Sequence, residues 1–187
     1  MKALIFILCI TATYCCHAQG HWDDSLAGKQ IWKVRPLTLE GSEIVYTENI
    51  TQPGYAKDQL LKNAVDWYDR NYKTADTHLE IENKEQGTTG GKGSIHYTSQ
   101  RLDAPQNIFF SFSIQITSAG YSYRVYDIYS MVNGEKISYS DMYREELYPT
   151  TKVKEHWSHK YRYETLSDMD SFITLAISQL KRDMEKK

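Results

Sequence analysis

Cysteine is absent from most of this chain. Its three cysteines, Cys9, Cys15 and Cys16, all lie near the N-terminus, within Met1–Cys16. Residues 17–187 therefore offer no thiol for a disulfide framework, a cysteine nucleophile or a cysteine-ligated zinc. Stability must come from a packed core, which fits the aromatic content of 13 % and the 15 tyrosines, because a tyrosine ring buries a large area while its hydroxyl finds a polar partner.

Charge of one sign and long apolar runs are also lacking. Lysine and arginine total 22 against 24 acidic residues, a net charge of −2. A nucleic acid is held by a strongly basic field, so we expect no nucleic-acid partner. After Ala18 no apolar run approaches the ~20 residues that cross a bilayer, and we expect no transmembrane segment in the mature chain.

The N-terminal segment Met1–Ala18 has the pattern of an export signal. Lys2 supplies a short positive start, Ala3–Thr13 is an apolar run too short to span a bilayer, and Ala18 is the small residue that a signal peptidase accepts. We expect cleavage after Ala18 and a mature protein, residues 19–187, in the periplasm or the medium. Without Lys2 the mature protein has 21 basic and 24 acidic residues, a net charge of −3.

A lipid anchor on Cys15 or Cys16 is the alternative to a free exported product. Lipoprotein signals have small residues just before the lipidated cysteine, whereas the bulky Tyr14 stands there. We therefore expect the product to carry no lipid.

Hydrophobic periodicity predicts strands and helices along the mature chain. Residues 19–42 form an N-terminal segment with one short strand, Gln30–Val34, and a second strand follows over Ser42–Ile50. Within Ala56–Tyr72 the apolar residues recur every three or four positions, which is typical of a helix with one buried stripe. The members of that stripe are Leu60, Leu61, Ala64, Trp67, Tyr68 and Tyr72.

The period returns to two after this helix. Strands are predicted over residues 78–82, 94–98, 107–117 and 121–132. Phe110 belongs to the apolar face of the strand 107–117, and Gly120 marks a hairpin turn after it. Residues 139–163 are an aromatic connector, and a capping box at Ser167–Asp170 opens a C-terminal helix.

This order of elements, β-α-β-β-β-β-α, predicts an α+β fold. A curved, mainly antiparallel sheet would carry two helices on one face. Residues 43–135 would form the core of the domain, and residues 136–187, the connector with the C-terminal helix, would complete it.

Four features together carry a family resemblance. They are the strand Glu43–Tyr46, the helix Asp58–Tyr68, the glycine-lysine-glycine segment Glu85–Gly93, and the paired strands Phe109–Ile116 and Tyr121–Tyr129. The stretch Ile44–Val132 thereby resembles the bacterial domain of unknown function with a TBP-like fold, family 4468, which occurs in exported proteins of Gram-negative envelopes. The resemblance implies the fold, but the family has no established activity, so it assigns no catalytic residue. The fold's name refers to a DNA-binding saddle, and shape alone does not confer function.

The glycine-rich stretch Gly87–Ser94 is not a phosphate loop. The Walker pattern requires a glycine where Gln86 stands and a hydroxyl residue where Gly93 follows Lys92. We expect instead a turn that enters a strand where another backbone comes close.

Histidine provides the candidate metal ligands. His156 and His159 are three residues apart and could share a metal on a helix, but they are weak candidates because a zinc site needs about four ligands. A hydrolase or metal-dependent enzyme that uses the His156/His159 region is the alternative function. His78 and His96 are expected to face outward from strands, and they could form a site as a pair across the sheet. We expect no cofactor.

Tyrosines supply the main functional hypothesis. Tyr121, Tyr123 and Tyr129 share one parity of their strand, and with Tyr97 they would form a ligand or partner surface if the helices cover only the other face. The alternative is that the connector 139–163 folds across this surface and buries it. The sequence thus predicts a non-catalytic binding module of the bacterial cell envelope, with an unknown envelope protein or small ligand as its partner.

Overall fold

The computed structural model describes residues 36–73, 77–99, 104–147 and 159–187. The chain divides into two units, residues 1–31 and 32–187, and all described residues belong to the second. The predicted leader, its cleavage site and the predicted strand Gln30–Val34 lie outside the described residues.

The described residues form eight strands and three helices. The strands are β1 (Leu39–Glu40), β2 (Glu43–Ile44), β3 (Tyr46–Thr51), β4 (Leu79–Asn83), β5 (Thr88–Ser99), β6 (Ala104–Thr117), β7 (Gly120–Val132) and β8 (Glu135–Ser138). The helices are α1 (Lys57–Asn71), α2 (Tyr139–Leu147) and α3 (His159–Met184). None of these helices combines the length and apolar character needed to cross a membrane.

The main sheet of the described residues is antiparallel throughout. Its strand order is β3-β7-β6-β5-β4, and β8 pairs with the far end of β7. The strands β1 and β2 form a separate small hairpin. The predicted α+β fold with a mainly antiparallel sheet is therefore confirmed.

One face of the sheet is covered by the helices, and we call it the covered face. Every second residue of β6 points into this core, where Phe110 and Phe112 are 1 % and 2 % exposed. The ring of Trp67 on α1 meets Phe112 edge to face, with 5.4 Å between ring centroids. The predicted buried positions of Trp67 and Phe110 are thus confirmed. The opposite face, which presents Phe109 and Gln115 of β6, is called the open face.

Gly87, with a φ of 71°, ends a turn, and the rest of the glycine-rich segment lies within β5, as predicted. A Cβ atom on Gly91 would lie 2.5 Å from the carbonyl oxygen of His78, and one on Gly93 would lie 2.5 Å from the ring of Phe110. The expected close approach of another backbone is confirmed at Gly91.

Helix α3 begins earlier than the capping box predicts. It starts at His159 instead of near Ser167, because the apolar stripe continues upstream: Leu166 is completely buried, three positions before the equally buried Met169. Burial of Leu166 in the core outweighs the local capping signal.

Helix α2 occupies the start of the segment that was predicted as an aromatic connector. It buries Tyr139, Met142 and Tyr143 in the same core as the other helices. The described start of the predicted connector, residues 139–147, thus packs on the covered face.

Candidate functional site

Strand β7 contains a bulge at Asp127. Phe109 of β6 pairs with Tyr129, and Ser111 pairs with Tyr126, so that Phe110 lies opposite two residues of β7. Asp127 has a φ of 46°, in the left-handed region that few residues other than glycine adopt. The extra residue reverses the alternation of side chains, so positions of equal parity before and after the bulge face opposite sides.

Tyr121 and Tyr123 precede the bulge and lie on the covered face. They are 3 % and 6 % exposed, so the prediction that they form an accessible surface is wrong. The hydroxyl of Tyr123 donates to Glu48 Oε2 at 3.0 Å, which fixes the ring inside the fold. Burial raises the pKa of Tyr121 to about 12, and burial with the Glu48 hydrogen bond raises the pKa of Tyr123 further.

Tyr97 also lies on the covered face. It is half-buried, and its ring centroid is 4.5 Å from that of Phe172 on α3. The ring of Tyr97 thus packs against a helix and lies on the opposite face of the sheet from Tyr129.

Tyr129 follows the bulge and lies on the open face, as predicted. Its ring stacks on Phe109, with centroids 5.2 Å apart and ring planes within 16° of parallel. Lys136 Nζ lies 4.1 Å from the Tyr129 centroid and 2.8 Å from Asp127 Oδ1. The Tyr129 ring therefore contacts the Phe109 ring and the Lys136 ammonium group. These two contacts fix its orientation within the protein itself.

A second aromatic ring lies next to this pair. The guanidinium carbon of Arg124 is 4.6 Å from the centroid of Tyr126, and its Nη2 is 3.1 Å from Glu40 Oε2. Glu43 Oε1 accepts the Asp127 N–H at 2.9 Å. The β1–β2 hairpin therefore holds both the arginine and the bulge.

We call the half-buried rings of Phe109, Tyr126 and Tyr129, with the 44 % exposed Met131, the aromatic platform. All four project from two neighbouring strands, β6 and β7. Phe109, Tyr126 and Met131 were not among the predicted site residues. Alternation along an uninterrupted strand puts Tyr126 and Tyr129 on opposite faces, and only the bulge at Asp127 brings them to the same face.

The cations around the platform are neutralised. Lys92 Nζ on β5 is 3.0 Å from Glu80 Oε1, and the hydrogen bond to this carboxylate raises the pKa of Lys92. Arg124 and Lys136 also contact carboxylates. The aromatic platform is therefore an exposed aromatic surface whose neighbouring cations are all paired with carboxylates.

The two strand histidines do not form a site together. His96 is exposed on the open face as predicted, with its Nδ1 2.7 Å from Asn107 Oδ1 and its Nε2 3.2 Å from Ser94 Oγ. His78 is also exposed, but its carbonyl oxygen bonds the N–H of Lys92. His78 is therefore opposite Lys92, which precedes His96 by four residues on β5. Since a strand rises about 3.3 Å per residue, the two histidines are roughly 13 Å apart along the strand direction.

The predicted metal ligands are not tested by the structure. His156 lies outside the described residues, and His159 is described only as the first residue of α3. Within the described ranges no group of three or more histidine, cysteine or acidic side chains could hold a metal ion. Residues 148–158 of the predicted connector also lie outside these ranges.

Comparisons with known proteins agree with this architecture. Residues 46–130 match the family described as "Domain of unknown function (DUF4468) with TBP-like fold". A crystal structure of a DUF4468 family protein from Bacteroides ovatus is similar with a TM-score of 0.59 and 15 % identity, over 81 % of this chain and 91 % of that one. A TBP-like protein from Parabacteroides distasonis has a TM-score of 0.57 and 10 % identity, over 78 % and 97 % of the two chains.

No curated protein matches this chain. The two solved structures share its fold, and the resemblance found in the sequence is confirmed over the strands and the helix that carry it. Residues 46–130 of this chain are therefore similar to the DUF4468 domain, and the chain has the TBP-like fold of the two solved structures.

Proposed function

We propose that the mature chain is an exported, non-catalytic binding module of the bacterial cell envelope, and that its open face binds a partner protein. The aromatic platform is the observation that carries this proposal. Phe109, Tyr126, Tyr129 and Met131 form a row of partly exposed apolar side chains beside Arg124. Aromatic residues, methionine and arginine are the types enriched in protein interfaces.

The shape of the surface favours a protein over a small molecule. Small ligands are bound in concave pockets that bury most of their surface, whereas the platform lies on the face of a sheet. That face is roughly 20 Å across and 40 Å long at ordinary strand spacing and rise. It has the area of about 800 Å² that each partner contributes to a standard interface.

The charges favour a partner surface with aromatic or aliphatic groups at its centre. Lys92, Arg124 and Lys136 each contact a carboxylate of this chain, so an acidic partner would have to displace an existing ion pair. Exposed ion pairs contribute little affinity in any case. Contact with the rings of Phe109 and Tyr129 is the main source of binding energy in this proposal.

Export rests on the N-terminal segment Met1–Ala18, which combines a positive start, an apolar run and a small residue at its end. The mature net charge of −3 and the paired cations agree with a role away from nucleic acid.

Photo-crosslinking in living cells tests the open face. A photoreactive phenylalanine analogue replaces Tyr129 in one variant and Ser178, an exposed residue of α3, in a control. We expect a crosslinked protein adduct from position 129 and none from position 178. Adducts of equal yield at both positions, or an adduct at 129 that contains no second polypeptide, would overturn the proposal.

A further inference from the structure

Strand β5 runs past the end of its neighbour β4. The ladder between them reaches Gly91, and the last bond is donated by the N–H of Lys92 to the carbonyl oxygen of His78 at 3.3 Å. Beyond that point β5 continues to Ser99 while pairing with β6 on its other side. Within the described residues no strand lies beside this second half of β5.

The exposed edge presents a row of main-chain hydrogen-bonding groups. In an antiparallel ladder the N–H and C=O of alternate residues point to the same side. Since the N–H of Lys92 points toward β4, those of Ser94 and His96 point to the same edge. The N–H of Ile116 bonds the carbonyl oxygen of Gly87, so in this register the odd-numbered residues of β5 bond to β6, and no described strand pairs with the amides of Ser94 and His96.

The two halves of this edge differ in how they are protected. Where β4 forms the edge, Glu80, Glu82 and Lys84 carry charges, and the register shifts between Leu79 and Ile81. Charged side chains and irregular pairing are the features by which edge strands avoid further pairing. The part of β5 from Gly93 to Ser99 has no lysine, arginine, acidic residue or proline.

A cavity of about 390 Å³ lies directly beside this unprotected edge, and we call it the edge groove. Its walls include Tyr72 from the end of α1, Ile95 from β5, and Phe172 and Leu175 from α3. Leu175 is 50 % exposed, which is high for a leucine in a folded domain. The rest of the lining is Ala176 with the polar residues Asn71, Ser94, His96 and Gln179. No lining residue carries a permanent charge, so the edge groove fits an uncharged side chain that packs against the rings and Leu175.

We propose that this edge binds an extended polypeptide segment by strand addition. The main chain of the segment pairs with the N–H and C=O groups of Ser94 and His96, and one apolar side chain of the segment enters the edge groove. The edge and the open face are different surfaces, so this binding site goes beyond the function proposed above.

A single strand fits this edge better than a second copy of the chain. Antiparallel pairing of two β5 edges about a two-fold axis normal to the sheet keeps both covered faces on one side. The second copy would then bring its own α1 and α3 against the edge groove that Leu175 lines. A single extended segment places only one side chain in the edge groove and brings no helix against it.

The probe is the peptide acetyl-Thr-Val-Thr-Val-Thr-amide, titrated into the ¹⁵N-labelled mature chain. We expect the amides of Ser94 and His96 to shift and to exchange with solvent at least ~10-fold more slowly when the peptide is bound. The amide of Lys92, already bonded to His78, serves as the internal control. A peptide N-methylated at all five residues has no N–H on either of its edges, and it should not bind.

Two matched pairs of variants locate the contact. His96→Pro removes the outward N–H without touching the ladder to β6, because proline is tolerated where an edge N–H faces solvent, while His96→Ala retains the N–H. We expect roughly threefold to tenfold weaker peptide binding for the proline variant only. Leu175→Lys places a charge at the edge groove and should weaken binding about tenfold or more, whereas Thr174→Lys, on the exposed side of α3, should not.

Several results would overturn the proposal. They are an absence of peptide binding at millimolar concentration, equal binding to Leu175→Lys and Thr174→Lys, or unchanged exchange at Ser94 and His96. A dimer in sedimentation experiments that His96→Pro dissociates would identify a second copy as the occupant instead. If His96→Pro does not fold, the comparison of Leu175→Lys with Thr174→Lys decides whether the peptide binds at this edge. Tyr129→Ala should leave peptide binding unchanged, which separates this edge from the open face.

Discussion

Tyr123 and Tyr129 point to opposite faces of the sheet although an even number of positions separates them on the same strand. Tyr123 is 6 % exposed and donates to Glu48, whereas Tyr129 stacks on Phe109 on the open face. The bulge at Asp127 causes this reversal, since one extra residue changes which side every following side chain takes. The bulge therefore decides which tyrosines are available to a partner.

The conformation of Asp127 predicts how substitutions there affect stability. With φ at 46°, a β-branched residue is strained whereas glycine is not. We expect Asp127→Val to lower the free energy of unfolding by about 1–3 kcal/mol, and Asp127→Gly to change it by less than ~1 kcal/mol, because the exposed pair with Lys136 contributes little. Urea denaturation measures both, and equal stability of the two variants would contradict the assigned bulge.

Adjacent residues of β6 should differ sharply in their contribution to stability. Phe110 is 1 % exposed in the core, whereas Phe109 lies half-buried on the open face. We expect Phe110→Ala to cost about 3–5 kcal/mol through the lost contacts and the cavity, and Phe109→Ala to cost no more than ~1.5 kcal/mol. Chemical denaturation of the pair checks this, and a loss below ~1 kcal/mol for Phe110→Ala would mean that the faces are misassigned.

The buried tyrosines predict a loss of stability at alkaline pH. Burial raises the pKa of Tyr121 to about 12, and it raises the pKa values of Tyr72, Tyr123 and Tyr139 in the same direction. The unfolded chain ionises near pH 10, so the folded state retains protons that the unfolded state releases. Stability should thus be complete below about pH 10 and fall as the pH rises through 12.

Denaturation midpoints between pH 8 and 11.5, with phenolate absorbance recorded alongside, test this dependence. Tyr123→Phe removes one of these ionisations and should lose stability less steeply above pH 10. Midpoints that stay constant up to pH 11.5 would show that the tyrosines titrate as they do in the unfolded chain.

The sequence predicted the fold because its evidence is periodic. Alternation in β6 and the helical stripe of α1 identified the buried positions of Phe110 and Trp67, and the order of elements predicted an antiparallel sheet under helices. Such periodicity arises because one face of each element is buried, and in the structure these faces form the core. The family resemblance rested on the same elements.

The candidate site could not be predicted in the same way. Parity assumes an uninterrupted strand, and a bulge inserts a residue without changing the hydrophobic pattern around it. Asp127 was the one local signal, because aspartate is depleted within strands and tolerates a positive φ. The early start of α3 was missed for a related reason, since the burial of Leu166 depends on packing against the rest of the core.

Export is predicted to remove Met1–Ala18 and every cysteine with it. Intact mass spectrometry of the exported product should give the mass of residues 19–187 without modification. A product that begins at Cys15 or Cys16 and carries the mass of a diacylglycerol group would show that the lipid anchor is right and free export is wrong.

The affinity of Tyr129→Ala for the protein that crosslinks at position 129 tests the account most directly. Tyr129 stands at the centre of the aromatic platform, so its truncation should weaken binding by at least ~30-fold, the effect of a hot-spot residue. The free energy of unfolding should change by less than ~1.5 kcal/mol, and Ser178→Ala should bind as the unmodified protein does. Unchanged affinity of a folded Tyr129→Ala variant would contradict the assignment of the open face as the binding surface.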